Sequence, residues 1–346
     1  MLSEKQISEI REHLEKAQNP VMFFDNDCDG LMSFVMLRKF IGRGKGVAVK
    51  SSFEEIYAKR VDELNADYVF ILDKPEVSLE FVERVTEKGI PIVWIDHHDV
   101  PYNIKNDLVF YYNPIYNKNK SNEPVSYLVY QIVKRNDFQW LSMIGCIADN
   151  FVPGFKDEFA REFPELWKRN FDGAFDVLYS TEIGTIIKML DFALKDRTSN
   201  VVAMLNFLVK INSPFEILKE DSRNLMIHKR YQEVNSVYSR LFEKARWIAR
   251  KADKVIFFEY GGDLSLSSNL SNELSYRFPG KVVIVAYVKG ANANVSVRGP
   301  INVRKIGLEA FKKIESASGG GHERAIGARM NVEDLPRFRD FYEERV

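Results

Sequence analysis

Three aspartates occupy alternate positions in VMFFDNDCDGLMSF, residues 21–34: Asp25, Asp27 and Asp29 follow an apolar run directly. Ionised carboxylates this close repel one another, and a divalent cation placed among them relieves the repulsion. The same residue type ends two further apolar runs, as Asp73 in YVFILD and as Asp96 in PIVWIDHH, where His97 and His98 come next. Asp149 closes IGCIADN. A mixed set of carboxylates and imidazoles suits Mn2+, with Mg2+ and Zn2+ as the other candidates. So many ligands exceed what one ion with an open position needs, which points to two. Two ions about 3.5–4 Å apart clamp the attacking and leaving oxygens of a phosphoryl displacement and make a bound water a better nucleophile. Asp73 is the candidate for the carboxylate shared between them.

Each of these residues also has a structural reading. An aspartate after a strand commonly caps a helix or holds a turn. The spacing DNDCDG also resembles a calcium loop, but the twelfth loop position is Met36 where a bidentate glutamate is required, and the loop follows a strand rather than a helix. Of the five histidines, His13 and His228 lie in helical patterns and read as packing or surface residues. His97, His98 and His322 fall in the two segments that look chemical.

The elements that must position these side chains can be read from periodicity. Short β-rich runs stand at 21–24, 46–50, 68–72, 91–95 and 108–112, separated by helical patterns such as LMSFVMLRKFI and SLEFVERVTEKG. This alternation predicts an α/β unit with a mainly parallel sheet flanked by helices. Ligands in such a sheet bind beyond the carboxyl ends of the strands, where the acidic segments would converge. Residues from about 155 to 250 are helical in pattern, and DSRNLMIHKRYQEVNSVYSRLFEKARWIARKAD reads as one long connecting helix. From 253 strands return at KVIFFEY, KVVIVAYV and NANVSVRG, with helices near SNLSNELSYRF and VRKIGLEAFKKI, predicting a smaller C-terminal α/β domain.

Composition sets further bounds. The formal net charge is zero, which argues against a wholly basic nucleic-acid binder but leaves room for a local basic surface. No run of 18 apolar residues is present, so no membrane span is expected. The N-terminal residues read as a charged helix rather than a signal peptide. With only Cys28 and Cys146, a disulfide framework is not expected, and a reducing cytoplasm is the simplest setting.

DNDCDG, Asp73 at a strand end, DHH at 96–98 and IADN ending in Asp149 together resemble the four motifs of the DHH phosphoesterases. SGGGHERAIGA, residues 318–328, resembles the glycine-rich signature of the DHH-associated C-terminal domain. The first motif is similar to the D-x-D-x-D-G of RecJ-type exonucleases, whereas nanoribonucleases and family II pyrophosphatases have H-x-x-x-D-x-D, for which Phe23 stands in the place of the histidine. The resemblance implies a catalytic domain over 1–215, a helical connector over 216–252 and a substrate-binding domain over 253–346, with the active site in the cleft between domains. By the same resemblance Asp25 and Asp27 bind a first metal, Asp29, His97 and Asp149 a second, and Asp73 bridges them. Asp96 orients the cluster and His98 faces the scissile phosphate. LDKPEVS departs from the family's usual second motif, so Lys74 and Pro75 reshape that loop.

In the C-terminal segment, three successive glycines let backbone N–H groups approach an anion. Eight basic and three acidic residues lie between Lys289 and Arg329. The resemblance implies that Arg298, Gly319, Gly320, Gly321 and His322 grip the substrate's phosphate or terminal nucleotide. The expected activity is Mn2+- or Mg2+-dependent hydrolysis of single-stranded DNA or RNA from an end. Bacterial RecJ proteins carry an additional OB-fold for which this chain has no segment, which leaves polarity and processivity open. Two alternatives stand beside this reading. One is a phosphatase or nuclease for very short substrates, such as oligoribonucleotides of a few units, phosphoadenosine phosphate or a cyclic dinucleotide product. The other is a scaffold in a replication complex with little activity, and replication or repair proteins are the expected protein partners.

Overall fold

Each apolar run in the N-terminal half forms a strand: β1 (Pro20–Asp25), β2 (Lys45–Val49), β3 (Tyr68–Leu72), β4 (Ile92–Ile95) and β5 (Val109–Tyr112). All neighbours pair in parallel, in the order β2-β1-β3-β4-β5. The centre of β1 is apolar without alternation because both faces of the sheet are covered. Met22 and Phe24 enter one apolar cluster, Val21 and Phe23 the other, and all four are fully buried. The first cluster is filled by α1 (Glu4–Lys16) and α2 (Cys28–Ile41), the second by α3 (Ala58–Glu63) and α4 (Leu79–Thr86). The helix α1 starts on a capping box in which Ser3 and Gln6 exchange side-chain-to-backbone hydrogen bonds.

The remaining helices of this half are α5 (Val125–Val133), α6 (Gln139–Ala148), α7 (Lys156–Glu162), α8 (Ala174–Ser180), α9 (Glu182–Leu194), α10 (Thr198–Lys210) and α11 (Phe215–Leu218). They extend the cluster behind α2. The computed structural model describes residues 1–50, 52–167 and 171–346. These divide into two compact units, Met1–Tyr231 and Gln232–Val346. The division falls inside α12 (Leu225–Lys251), the long helix expected from its unbroken periodicity.

The second unit has a mixed five-stranded sheet ordered β6-β7-β8-β10-β9, built from β6 (Val255–Gly261), β7 (Val282–Lys289), β8 (Asn292–Arg298), β9 (Ser318–His322) and β10 (Ala325–Asn331). Only the β6–β7 pair is parallel. With α13 (Ser267–Arg277), α14 (Val303–Phe311) and α15 (Leu335–Glu343) the sheet encloses its own apolar core. The glycine run forms an edge strand, β9, paired antiparallel to β10. A Cβ on Gly319 would lie 2.2 Å from Gly327 O, and one on Gly321 would lie 2.4 Å from Ala325 O. Both glycines have positive φ, 159° and 141°, so close strand contact requires them, whereas Gly320 faces open space.

Candidate metal centre

The order β2-β1-β3-β4-β5 reverses direction between β1 and β3, and a doubly wound sheet binds its ligand at that reversal. Asp25 is the last residue of β1. Asp27 caps α2, its Oδ1 accepting a hydrogen bond from Gly30 N at 3.0 Å. Asp29 is buried in the first turn of α2 and accepts from Val125 N at 2.7 Å and Ser126 N at 2.9 Å, so its carboxylate also anchors the start of α5. The glycine of DNDCDG is there for contact: a Cβ on Gly30 would lie 2.6 Å from Asp25 O. Gly145 of α6 is equally constrained, 2.3 Å from Ser126 Oγ and 3.2 Å from Asp29 Oδ1 by the same construction.

Asp73 follows β3 with φ 62°, a left-handed backbone uncommon outside glycine, and its N–H donates to Ile95 O at 3.0 Å. Such a conformation persists only where surrounding contacts hold it, and it is found disproportionately at functional sites. Asp96, His97 and His98 follow β4, and Asp149 is the C-cap of α6. The structure brings these residues together in three overlapping groups: Asp25, Asp27 and Asp73; Asp29, His97 and Asp149; and Asp73, His97 and His98. Within each group one ligand atom per residue lies within 4.8 Å of the others.

His97 shows what the cluster requires. Its Nδ1–H donates to the Asn122 carbonyl at 3.2 Å, because that oxygen can only accept. Its Nε2 is thereby turned toward Asp73 Oδ1 at 3.3 Å and Asp149 Oδ2 at 3.8 Å. A lone pair facing two carboxylates is unfavourable without a positive centre between them. Asp73 Oδ1, fully buried, has no well-formed hydrogen bond. Burial, then the charges of Asp29 and Asp27, push the Asp73 carboxyl well above its ordinary range. Asp27 is raised in the same way by burial, Asp25 and Asp29. Asp149 is pushed up to about 6, by desolvation and by Asp29. Its side chain keeps 39% of its exposure, so water screens it more than it does Asp73. Burial pulls His97 down, but the adjoining Asp73 carboxylate and the charges of Asp149 and Asp29 outweigh this and hold it well above its usual value. The donor set therefore fits divalent cations, and in their absence protons take the positive role.

His98 has a different partner. Its Nδ1 lies 2.8 Å from Oδ1 of the fully buried Asp96, which fixes the ring's tautomer. Asp96 Oδ2 accepts from Tyr111 OH at 3.1 Å, His98 N at 3.3 Å and Asn113 Nδ2 at 3.5 Å. Burial and the Asp96 charge push the Tyr111 phenol up, so it remains a donor. Tyr111 and Asn113 escaped the sequence reading, although Asn113 directly follows β5 as Asp73 follows β3 and Asp96 follows β4. The two cysteines do no such chemistry: both are buried, and burial raises both thiols.

In the second unit Arg298 ends β8, with Nε donating to Asn272 Oδ1 at 2.6 Å, NH1 to the Val297 and Ile326 carbonyls and NH2 to Ser268 Oγ. Its guanidinium is thus fixed in direction. Gly319, Gly320, Gly321 and His322 are all exposed along β9, whose outer edge is unpaired within the sheet. No helix among the described residues is long and apolar enough to cross a membrane.

Residues 21–150 match the family model described as the DHH family, N-terminal domain, and residues 252–346 match the DHHA1 domain. No curated protein matches the chain in sequence. Its fold is similar to that of RecJ from Thermus thermophilus in complex with Mn2+, with a TM-score of 0.70, 16% identity and 99% of this chain covered. The match takes in 54% of that RecJ, so this chain spans about half its length. An exonuclease RecJ bound to manganese gives a TM-score of 0.63 at 16% identity, covering 100% of this chain and 94% of that one. An exopolyphosphatase-related protein from Bacteroides fragilis gives 0.54 at 14% identity, covering 99% and 96%. At these identities the likeness is one of fold. With both family domains present in order and the acidic cluster assembled where the first of them matches, the chain belongs to the DHH phosphoesterase superfamily and has a RecJ-like fold.

Proposed function

We propose that this protein is a metal-dependent phosphodiesterase that removes nucleotides from an end of single-stranded nucleic acid. The observation that carries this reading is the convergence of His97 Nε2, Asp73 Oδ1 and Asp149 Oδ2, which calls for a cation. Asp25, Asp27 and Asp73 would hold one ion, and Asp29, His97 and Asp149 another, with Asp73 near both. Divalent ions bound there supply charge neutralisation at the phosphate and a more acidic water. The chain's own residues do the rest. Asn122 keeps the His97 ring oriented. Asp96, held by Tyr111 and Asn113, keeps the proton of His98 on Nδ1, which reserves Nε2 for proton exchange with a substrate oxygen. The expected role of Arg298 and the exposed β9 edge is to receive the substrate's phosphate or terminal nucleotide, with the guanidinium already oriented.

A full set of converging ligands speaks against a scaffold without activity. A digest of end-labelled DNA and RNA oligomers of several lengths with Mn2+ tests the proposal. Stepwise shortening of long single strands supports it, and the labelled end gives the polarity. Cleavage confined to units of a few nucleotides supports the short-substrate reading instead. No Mn2+-dependent cleavage of any phosphodiester overturns both.

A further inference from the structure

The residue after Asp73 is a lysine, and it does not point to solvent. Lys74 Nζ lies 2.8 Å from Asp25 Oδ1, and its side chain keeps only 10% of its exposure. Long lysine side chains normally carry the ammonium to water, so an ammonium retained in an acidic cluster is held there by its surroundings. Three features deliver it. The left-handed backbone of Asp73 turns the chain at the end of β3. Trp94 Nε1–H donates to the Lys74 carbonyl at 2.8 Å and pins the turn from β4. Pro75 restricts the backbone of the residue before it.

The two ligand groups are therefore unequal. An oxygen of Asp25, in the Asp25–Asp27–Asp73 group, is already neutralised by a positive charge belonging to the chain. Among the described residues, neither Asp29 nor Asp149 is paired with a lysine or arginine. We propose that Lys74 is a resident cation of the first metal position, so that the protein binds one divalent ion tightly at Asp29–His97–Asp149 and a second weakly at Asp25–Asp27–Asp73. This inference rests on the metal-dependent reading above and deepens it. A unit charge at ion-pair distance changes a divalent ion's affinity by roughly tenfold or more even with strong screening. The second ion must displace the ammonium from Asp25, so its occupancy rises when an anionic substrate adds negative charge to the site.

The test is a titration of the metal-stripped full chain with Mn2+, followed calorimetrically and by the magnetic resonance signal of free Mn2+. Wild type should bind one ion tightly and a second at least about tenfold more weakly. Asp149→Asn should weaken the first and Asp25→Asn the second. Lys74→Met and Lys74→Gln should each strengthen the second ion about tenfold or more and leave the first unchanged, while Lys74→Arg should preserve the gap. Two ions of equal affinity in wild type overturn the proposal without any variant being needed. A gap that survives in a folded Lys74→Met or Lys74→Gln protein also overturns it, and leaves the metal-dependent reading intact. No ion bound in wild type overturns both.

Discussion

Asp96 is fully buried and accepts hydrogen bonds from three side chains or backbone groups besides the His98 ring. Such an arrangement acts through the residue it orients. Tyr111→Phe removes one donor and leaves the packing, so kcat should fall about tenfold with KM little changed. His98→Gln should cost about 10²–10⁴ in kcat, the usual contribution of a positioned proton donor or acceptor. Steady-state kinetics on a short labelled oligomer check both. Asp73→Asn tests the cluster itself: Mn2+-dependent hydrolysis should be lost, and the rise in melting temperature that Mn2+ gives wild type should shrink, while far-UV circular dichroism stays native. Full activity in Asp73→Asn would remove this residue from the site. Much of the residue scale was legible, because a carboxylate after an apolar strand is a conspicuous pattern. The ion pair of Lys74 with Asp25 was not, since a lysine in a loop looks like any solvated charge until the turn that buries it is seen.

At the scale of elements, one carboxylate serves two purposes. Asp29 ties α2 to the first turn of α5 through two backbone N–H groups, and the same carboxylate stands with His97 and Asp149 in a group of potential metal ligands. Asp29→Ala should destabilise the metal-free protein by about 1–3 kcal/mol in urea unfolding, through the buried donors it leaves unpaired. Asp149→Ala removes a partly exposed group that anchors no helix start and should be close to neutral in the same assay. The five strands of the parallel sheet were readable because continuous apolar runs bounded by turns have few other solutions. The strands β9 and β10 were not, since glycine has low strand propensity and only pairing with β10 explains it. The structure separates the glycines: Gly319→Ala and Gly321→Ala should lower the melting temperature, whereas Gly320→Ala, facing open space, should fold normally. Equal tolerance of all three substitutions would mean that the close strand contact is not essential.

At the scale of the whole molecule, the chain has no net charge but concentrates negative charge at one sheet edge. The raised carboxyl groups give a sign to its pH dependence. Asp27, Asp73 and Asp149 bind protons more tightly folded than unfolded, so their contribution declines as pH rises from their unfolded value near 3.8, for Asp149 until about 6. His97, also raised, contributes stability below its ordinary value of 6.5 that is lost as pH climbs through the higher folded one. Metal-free protein should therefore lose stability from about pH 4 to about pH 6 through Asp149 and lose more above pH 6.5 through His97, and the stabilisation by Mn2+ should grow over the same range. Melting temperatures with and without Mn2+ across that range check this, and a metal effect independent of pH would contradict it. The division of the chain inside α12 was the least legible feature at this scale, because the periodicity of a long helix continues across a boundary without a mark.

The outer side of β9 has one further consequence. Five consecutive exposed residues, three of them glycine, form a ribbon border with no side chain between residues 319 and 321 to shield it. Alternate amides along it have no sheet partner, so in deuterated water they should label early while their inward neighbours, bonded to β10, label late. A ligand lying along that border would slow the early set alone.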